Sequence, residues 1–469
     1  MKNRNPKNII LLNPPGKKQY FRDYYCAKVS KARYYYHPVD LLYLSGRLAK
    51  TANVHFVDAI AEKMDSKKCL NQIIKIKPDT IISLSSAPSY AEDMGFINKI
   101  KNKLPDCLII ATGDIFREYR SRGLRENPQL DAILLDFSTH DILKYIENTD
   151  NKIIPNIIYR HAEQIIEGKE EHYSGTWHVP IPIWNKINLK AYHFPFAKRK
   201  PFASILTDFG CPYNCNFCPV SSLGFKMRPV NDVITELGIL NNLGVKELYI
   251  RDQTFGVNNS RSIELLKAIK DSGMKFSWTC LSRTDVLSDE LLHKMKNTGC
   301  HTVMLGIESA NDALMKKHKK NIKLSDTFRN IKRIKKNGIR IGGFFMIGFP
   351  GENRSSVLET SKLARKLPLD YASFNIVSPR FGTEFRKESV INGIIDQESS
   401  LGAESSASNP VWKNQKLNNT QLSKLRHKAV RKFYLRPSYI IKRLASVKTK
   451  HEFFNLMAEG ISLLKKSIP

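Results

Sequence analysis

Residues 202–220 read FASILTDFGCPYNCNFCPV, an apolar stretch followed by a loop that carries Cys211, Cys215 and Cys218. The chain has only 8 cysteines in 469 residues, so chance is a poor explanation for three in one loop. Thiolates bind zinc or iron–sulfur clusters, but a closed structural zinc site takes four ligands, and the loop supplies no fourth Cys or His. The spacing CxxxCxxC can hold three irons of a four-iron cluster and leave the fourth open.

The apolar stretch is the first of six strand-like segments between residues 200 and 390, and helical segments separate them. The six segments are FASILTDF, VKELYIRD, MKFSWTCL, TVMLGIES, IRIGGFFMIGF and DYASFNIVSP. Six such units predict a parallel β/α barrel, or most of one. In that fold the chemistry lies at the carboxyl ends of the strands, and the cysteine loop follows the first strand.

A second alternation precedes the barrel. Its strand segments are NIILLNPP, VHFVDA, DTIISLSS and CLIIATGD, beginning at residues 8, 54, 79 and 107. Strands that alternate with helices predict a parallel sheet with helices on both faces. We therefore predict an α/β protein with a doubly wound Rossmann-like domain at 1–145, a connector at 146–199, a partial (β/α)6 barrel at 200–390, and a loop with a basic helical extension at 391–469.

Composition limits the class of partner. The formal net charge of +31 implies an anionic partner, which could be nucleic acid, a lipid surface or an acidic substrate. No apolar run reaches the roughly 18 residues of a membrane-spanning helix, and the start of the chain has too short an apolar run for a signal peptide. We expect a cytoplasmic protein with reduced cysteines.

The C-terminal region is basic and has apolar residues at helical spacing. The apolar positions are Leu422, Leu425, Ala429, Phe433, Phe453, Met457, Ile461 and Leu464. Residues 449–452 have the form of a capping box, and residues 392–410 have the composition of a surface loop. The helices either lie peripherally on an anionic membrane or pack their apolar side on the barrel.

The cysteine loop resembles that of the radical S-adenosylmethionine (SAM) enzymes, which hold a four-iron four-sulfur cluster after the first strand of a partial β/α barrel. The resemblance covers residues 200 to about 385. It implies that the three cysteines ligate the cluster, whose open iron chelates SAM and whose electron splits SAM to a 5′-deoxyadenosyl radical. It also implies SAM contacts by Phe217, Asp252, Thr254, Glu308, Ser309 and Gly348. Their structural alternatives are turn glycines, a salt bridge at the barrel rim and a helix cap.

Residues 1–145 resemble the cobalamin-binding domain that precedes the barrel in one radical SAM subgroup, which includes anaerobic cyclases and methylases. The matching features are the NPP strand end, the SLSS turn, the Thr112–Asp114 turn and Asp58. The resemblance implies cobalamin contacts by Pro38, Ser83, Ser85 and Gly113. No D-x-H-x-x-G motif is present, so cobalamin binds without a histidine from that motif, or the domain is vestigial. His37 lacks that context, and a single histidine is more often structural.

The leading prediction is a radical SAM enzyme that uses cobalamin to methylate or rearrange an unactivated carbon of a hydrophobic, lipid- or tetrapyrrole-like small molecule. Its reductant would be a flavodoxin or a ferredoxin. A methylase would release S-adenosylhomocysteine besides 5′-deoxyadenosine, and a cyclase would not. The alternatives are RNA modification, for which no RNA-binding module is recognisable, and a non-catalytic cobalamin or iron–sulfur protein.

Two groups of cysteines outside the loop need a separate interpretation. Cys26, Cys69 and Cys107 raise the comparison with tRNA methylthiotransferases, which carry a second cluster, but buried inert thiols fit their surroundings better. Cys280 is a candidate acid or base without support from spacing, as are the tyrosines and histidines. The sequence assigns no catalytic residue.

Overall fold

The computed structural model describes residues 7–24, 27–30, 34–147, 153–396, 416–445 and 457. The strands are β1 (Asn8–Asn13), β2 (Tyr20–Phe21), β3 (Lys28–Val29), β4 (Asn53–Asp58), β5 (Thr80–Leu84), β6 (Leu108–Thr112), β7 (Ala132–Leu134), β8 (Ile157–His161), β9 (Gln164–Glu167), β10 (Gly175–Thr176), β11 (Phe202–Ile205), β12 (Asp208–Gly210), β13 (Phe225–Met227), β14 (Glu247–Ile250), β15 (Ser277–Ser282), β16 (Cys300–Glu308), β17 (Arg340–Ile347) and β18 (Tyr371–Ile376). The α-helices are α1 (Val39–Leu48), α2 (Ser66–Ile76), α3 (Tyr90–Lys103), α4 (Phe116–Tyr119), α5 (Ser121–Arg125), α6 (Asp141–Ile146), α7 (Val230–Asn242), α8 (Asn259–Asp271), α9 (Asp289–Asn297), α10 (Asp312–Lys317), α11 (Leu324–Lys336), α12 (Arg354–Lys366), α13 (Glu384–Ile391), α14 (Asn419–Tyr434) and α15 (Pro437–Ala445). Short 3-10 helices span Ala87–Ser89, Trp184–Lys186, Leu189–Ala191 and Pro219–Ser222.

The first sheet has seven strands in the order β4-β1-β5-β6-β7-β8-β9. Strands β4 to β7 are parallel, and β8 and β9, from the segment 146–199, add an antiparallel edge. Continuous Ile and Leu runs form the inner strands because parallel strands are buried on both faces. Strand β4 pairs with β1 on one side, and the chain then crosses over so that β5 pairs with β1 on its other side. The loops after β1 and β5 therefore diverge at the carboxyl edge of the sheet, where doubly wound folds bind ligands.

The second sheet has six parallel strands in chain order, β11-β14-β15-β16-β17-β18. Helices α7, α8, α9, α11 and α12 connect successive strands. Within the described chain β11 and β18 are the outermost strands, so the sheet forms a partial barrel, and the predicted fold class is confirmed. The cysteine loop lies between β12 and β13, which form a small antiparallel pair beside the barrel.

The two sheets share one hydrophobic core. Buried residues of α1 pack in the same cluster as residues of β11 and β14. Tyr43 on α1 makes the clearest polar contact, since its hydroxyl donates to the carbonyl oxygen of Leu206 at 3.3 Å and accepts from the Leu206 N–H at 2.8 Å. The first domain is therefore packed directly against the start of the barrel.

Helix α14 covers the open side of the barrel at β18. Its buried residues are Leu422, Leu425, Ala429 and Phe433, the first apolar stripe predicted from the sequence. The Tyr434 hydroxyl donates to the Ala372 carbonyl oxygen at 2.8 Å and accepts from the Ala372 N–H at 3.1 Å, on the outermost strand. Met457 is exposed; the rest of the second stripe, the capping box at 449–452 and most of the predicted loop at 392–410 lie outside the described residues.

Helices long enough to span a membrane are absent from the described residues. None of their helices combines the length and the apolar character needed to cross a bilayer.

Candidate cofactor site

The cysteine loop is held by short-range backbone contacts. The N–H of Cys211 donates to the carbonyl oxygen of Gly224 at 3.2 Å, and the N–H of Cys218 donates to that of Cys215 at 3.0 Å. Gly210, which precedes the loop, has a φ of +88°, and a Cβ there would lie 1.8 Å from the Gly224 carbonyl oxygen. Only glycine fits this close approach, so the loop begins at a fixed position.

The three thiols lie near one another. Burial raises the pKa of Cys215, and burial together with the Cys211 and Cys215 thiols raises the pKa of Cys218 to about 12. Three cations act in the opposite direction: Lys320 and Arg283 lower the pKa of Cys215, and Arg380 lowers that of Cys218. These cations would balance the negative charge of a cluster held by three thiolates.

The donor set consists of three thiolates, the ligands that iron–sulfur clusters take. In the described parts of the chain, no three His, Cys, Asp or Glu side chains converge on a position that could hold one metal ion. A four-iron cluster spaces its cysteine sulfurs more widely than one ion does, because each sulfur binds a different iron. Cys211, Cys215 and Cys218 would hold three irons and leave one open.

Two side chains flank the loop. The Thr254 hydroxyl, just after β14, lies 3.6 Å from the Cys211 sulfur. The guanidinium of Arg283 stacks 3.7 Å from the centre of the Tyr213 ring, inside the loop, and Asp285 holds the guanidinium through contacts of 3.0 and 2.8 Å. Thr254 therefore lies beside Cys211, and its contact with a cofactor stays a prediction.

Three aromatic rings pack together at the loop, those of Phe217, Phe349 and His318. The Phe217 ring is 5.6 Å from the Phe349 ring, which in turn is 4.4 Å from the imidazole of His318. Gly348, with a φ of +88°, and Phe349 both donate their N–H groups to the buried carboxylate of Glu352 at 2.7 and 2.9 Å. The structure thus brings Phe217 close to the segment of Gly348 and Phe349 after β17, and the resemblance implies SAM contacts by Phe217 and Gly348.

Neither His318 nor Glu352 was recognised as a site residue from the sequence. The Nδ1 of His318 contacts the Asn216 side-chain oxygen at 3.0 Å, and its Nε2 is buried with no hydrogen-bond partner among the described residues. Burial lowers the pKa of His318 to about 4, so the ring is neutral near pH 7. Only the GFPGE segment hints at Glu352, whereas His318 sits in a lysine-rich stretch without any motif.

The carboxylate of Asp252 accepts hydrogen bonds from main-chain N–H groups. Its carboxylate accepts the N–H groups of Thr207 at 2.6 Å and Asp208 at 3.1 Å, and also the Thr207 hydroxyl. These bonds fix the corner between β11 and β12. The Oδ1 atom of Asp208 is buried without a hydrogen-bond partner among the described residues, and burial together with the Asp252 charge raises the pKa of Asp208.

Glu308 and Ser309 end β16 in different ways. Glu308 has a φ of +64°, rare for a residue with a side chain, and its carboxylate pairs with Lys320 at 2.7 Å in a nearly buried ion pair. Such backbone strain is common at functional sites. The Ser309 hydroxyl accepts the Asn311 N–H at 3.2 Å and contacts Thr360, so it orders the turn before α10.

The residues predicted to contact cobalamin lie at the carboxyl edge of the first sheet. Pro38 precedes α1, and Ser83 is buried within β5. The Ser85 hydroxyl donates to the Asp93 carboxylate at 3.0 Å, and its N–H donates to the carbonyl oxygen of Thr112 at 2.8 Å. Gly113 follows with a φ of +140°, and a Cβ there would lie 1.8 Å from the Ser85 carbonyl oxygen. The loops after β5 and β6 are therefore in main-chain contact.

Unpaired oxygens surround this edge. Asp23, Tyr24, Asp40 and Thr112 are each no more than 4% exposed, and each has one side-chain oxygen without a partner in the described chain. The Asp40 carboxyl accepts the Tyr24 N–H at 2.8 Å, and burial followed by the Asp23 charge raises its pKa. We call these four residues the crevice. A group with several N–H donors, such as the amide side chains of a corrin, would satisfy them.

His37, Cys69 and Cys107 are buried among core side chains, which indicates structural roles. The His37 ring stacks 3.9 Å from the Tyr192 ring, its Nδ1 contacts Ser204 on β11 at 3.2 Å, and burial lowers its pKa to about 3. Cys69 and Cys107 are buried in the core of the first domain, and burial raises the pKa of each thiol to about 12. Both thiols are buried, as predicted.

A cysteine loop after the first strand of a partial β/α barrel, preceded by a doubly wound domain, defines a radical SAM enzyme. Residues 206–364 match the radical SAM superfamily. The chain is 31% identical over 416 residues to an uncharacterized methyltransferase of Pyrococcus horikoshii, a match that covers 86% of this chain and 89% of that protein. The chain therefore belongs to the radical SAM superfamily, and to the same family within it as the Pyrococcus protein.

Two further relatives have named activities. Cytidylyl-2-hydroxyethylphosphonate methyltransferase of Streptomyces wedmorensis is 26% identical over 370 residues, which is 69% of each chain. The anaerobic magnesium-protoporphyrin IX monomethyl ester cyclase of Rubrivivax gelatinosus is 23% identical over 358 residues, covering 73% of this chain and 64% of that one.

Two solved structures share most of the fold of this chain. The cobalamin-dependent radical SAM enzyme OxsB, solved with aqua-cobalamin and SAM, covers 99% of this chain and 72% of its own at a TM-score of 0.74 and 14% identity. The radical SAM methyltransferase TsrM of Kitasatospora setae, with cobalamin and a [4Fe-4S] cluster, covers 82% of this chain and 78% of its own at 0.67 and 17%. The predicted superfamily, the radical SAM enzymes, is confirmed. The likeness to these two structures shows a common fold.

Proposed function

We propose that this protein is a cobalamin-using radical SAM methyltransferase that transfers a methyl group to an unactivated carbon of a hydrophobic small molecule. One observation carries the proposal: the crevice lies beside the cysteine loop. Arg117 spans the two, since its guanidinium lies 5.7 Å from the Tyr24 ring and donates to the Pro219 carbonyl oxygen at 3.3 Å. Cofactors held on either side of Arg117 would face each other.

The chain's own residues have distinct tasks in this proposal. The three cysteines would hold the cluster, and the crevice oxygens would accept N–H groups of the corrin amide side chains. Phe217 and Phe349 would exclude water from the side of the cluster. When bound, the cluster with SAM supplies a 5′-deoxyadenosyl radical, and cobalamin supplies a transferable methyl group.

Methyl transfer is favoured over ring closure by the relatives. The Pyrococcus and Streptomyces proteins are both named methyltransferases and match over a larger share of their own length than the cyclase does. Ring closure of the cyclase kind is the outcome to test against it.

The surroundings of the cysteine loop support a hydrophobic substrate. The buried cluster next to the loop contains Phe217, Met315, Phe349, Phe385 and Ile395. Such surroundings suit an apolar substrate, which is stabilised when its surface is buried against these side chains. The electron donor in this proposal is a flavodoxin or a ferredoxin.

Helix α15 supports a peripheral membrane contact as part of the same proposal. Ile440, Ile441 and Leu444 are 43%, 67% and 51% exposed, and Lys442 lies among them. Apolar side chains beside a cation suit an anionic bilayer surface, where a hydrophobic substrate would be found. Co-sedimentation with phosphatidylglycerol vesicles, but not with phosphatidylcholine vesicles, is the expected result. Salt-sensitive binding of RNA without vesicle binding would favour RNA modification instead.

The function is tested by the products formed from SAM. Protein with a reconstituted cluster and bound hydroxocobalamin is reduced anaerobically with SAM, and 5′-deoxyadenosine and S-adenosylhomocysteine are quantified. The proposal predicts both products, with 5′-deoxyadenosine lost in Cys218→Ser. Formation of 5′-deoxyadenosine alone would indicate a rearranging enzyme of the cyclase kind. Neither product from protein that carries cluster and corrin would indicate a non-catalytic binding protein.

A further inference from the structure

Arg117 has a position that the sequence did not reveal. It lies on α4, three residues after the Asp114 turn that follows β6, and its side chain is 6% exposed. Its Nη2 donates to the Ser222 hydroxyl at 2.9 Å and its Nη1 to the Pro219 carbonyl oxygen at 3.3 Å. Both acceptors lie within four residues after Cys218. One guanidinium in the first domain therefore holds the end of the cysteine loop.

A carboxylate of the first part of the chain also fixes the Arg117 guanidinium. Its Nε donates to the Glu170 carboxylate at 3.0 Å, and the same carboxylate contacts His172 Nε2 at 2.8 Å. The other ring nitrogen of His172 contacts the fully buried carboxylate of Asp136 at 3.0 Å. The chain of contacts from Asp136 to Ser222 leaves the guanidinium little freedom, because each group is held on both sides.

The loop after β18 holds α4 from another direction. Glu118 pairs with Arg386 of α13 at 2.9 Å, and Phe381 packs in the core of the first domain. A Cβ on Gly382 would lie 2.9 Å from Arg117 Nη1, so the chain passes directly over the guanidinium. Helix α4, which begins just after the crevice, is thus fixed to two loops of the barrel.

We propose that Arg117 is a positioning residue that sets the distance and orientation between the cluster and the group bound in the crevice. This inference rests on the proposed function. A guanidinium suits the task because its donors leave a rigid plane in fixed directions, whereas a lysine offers one mobile charge. Catalysis between two bound groups depends steeply on this geometry, since a misplacement of about 1 Å can cost about 100-fold in rate.

A merely structural role for Arg117 makes a different prediction. If Arg117 only stabilised the contact between the domains, its loss would lower stability without changing the spacing of the cofactors in folded protein. The distance between the two paramagnetic centres separates these cases. The probes are the dithionite-reduced cluster and cob(II)alamin, whose magnetic interaction is measured by pulsed electron paramagnetic resonance.

The variants are Arg117→Gln, Arg117→Lys and Ser222→Ala, with Arg122→Lys as the matched control. Arg122 lies on the neighbouring helix α5 and pairs with Glu126 on the surface. We expect wild-type and control protein to give one narrow distance distribution. Arg117→Gln should shift or broaden it by about 1 Å or more, Arg117→Lys should restore it only in part, and Ser222→Ala should show a smaller change.

An unchanged distribution in Arg117→Gln would overturn the inference. If Arg117→Gln loses either cofactor, the distance distribution of Ser222→Ala tests the inference instead, because this variant removes one acceptor and leaves the guanidinium in place. An unchanged distribution in Ser222→Ala would also overturn the inference. Wild-type protein that binds the cluster but no corrin would instead contradict the proposed function, so the two failures are distinguishable.

Discussion

Gly113 gives a quantitative test of the crevice. It follows β6 with a φ of +140°, and a Cβ placed on it would lie 1.8 Å from the carbonyl oxygen of Ser85. The clashing atom belongs to the main chain, which cannot rotate away as a side chain does. Gly113→Ala must therefore push apart the loops after β5 and β6.

The cost follows from two effects. The strained backbone costs about 1–3 kcal/mol, and the overlap with Ser85 adds about 1–3 kcal/mol. We expect the free energy of unfolding to fall by about 2–6 kcal/mol. Gly95→Ala is the matched control, because Gly95 lies in α3 of the same domain and nothing is within 4 Å of the added Cβ. There the higher helix propensity of alanine should raise the free energy by about 1 kcal/mol.

Urea unfolding followed by circular dichroism measures both free energies. Corrinoid retained after desalting, below the unfolding transition, measures the effect on the crevice. Gly113→Ala should retain less corrinoid than wild type, and Gly95→Ala should retain the wild-type amount. Equal stability and equal retention in the two variants would refute the reasoning that main-chain contact between these loops shapes the crevice.

Three further predictions concern the barrel and the contact between the domains. Cys218→Ser should remove the iron–sulfur absorbance, whereas Cys107→Ser, which changes a buried inert thiol, should keep it. Lys320→Met leaves the Glu308 carboxylate buried without its cation and should lower the free energy of unfolding by about 3–5 kcal/mol, as measured by urea unfolding; an unchanged value would mean that Glu308 has another partner. Burial alone would lower the pKa of His172, but hydrogen bonds to its two carboxylate partners raise it above 6.5. Its contribution to stability is therefore complete below pH 6.5 and is lost as the pH rises through the raised pKa, and His172→Gln should flatten that part of the stability profile.

The elements that the sequence predicts are those with a local signal. Inner strands such as β1 and β17 are continuous apolar runs, since both faces of a parallel sheet are covered. The cysteine spacing needs no tertiary information, and the stripe from Leu422 to Phe433 repeats at helical spacing. Each of these patterns is contained within about 15 residues.

The parts that the sequence does not reveal depend on distant partners. Arg117 contacts Ser222, which lies 105 positions further along the chain, and neither residue stands in a motif. Strands β12 and β13 have only three residues each, too few for a periodic pattern. Asp252 depends on distant partners too: its place after a strand predicts a ligand contact, which stays a prediction, and the main-chain N–H groups that its carboxylate accepts lie 45 and 44 positions earlier in the chain. Hydrogen bonds from main-chain N–H groups cannot be recognised in a sequence, because every residue except proline has such a group.

The central claim is that the first domain holds a corrin opposite the cluster. The most direct test reconstitutes the protein anaerobically with iron, sulfide and hydroxocobalamin, desalts it, and quantifies corrinoid and iron per chain. We expect about one corrin per chain together with an intact cluster. An intact cluster without retained corrin would contradict it, and would leave a radical SAM enzyme whose first domain serves another purpose.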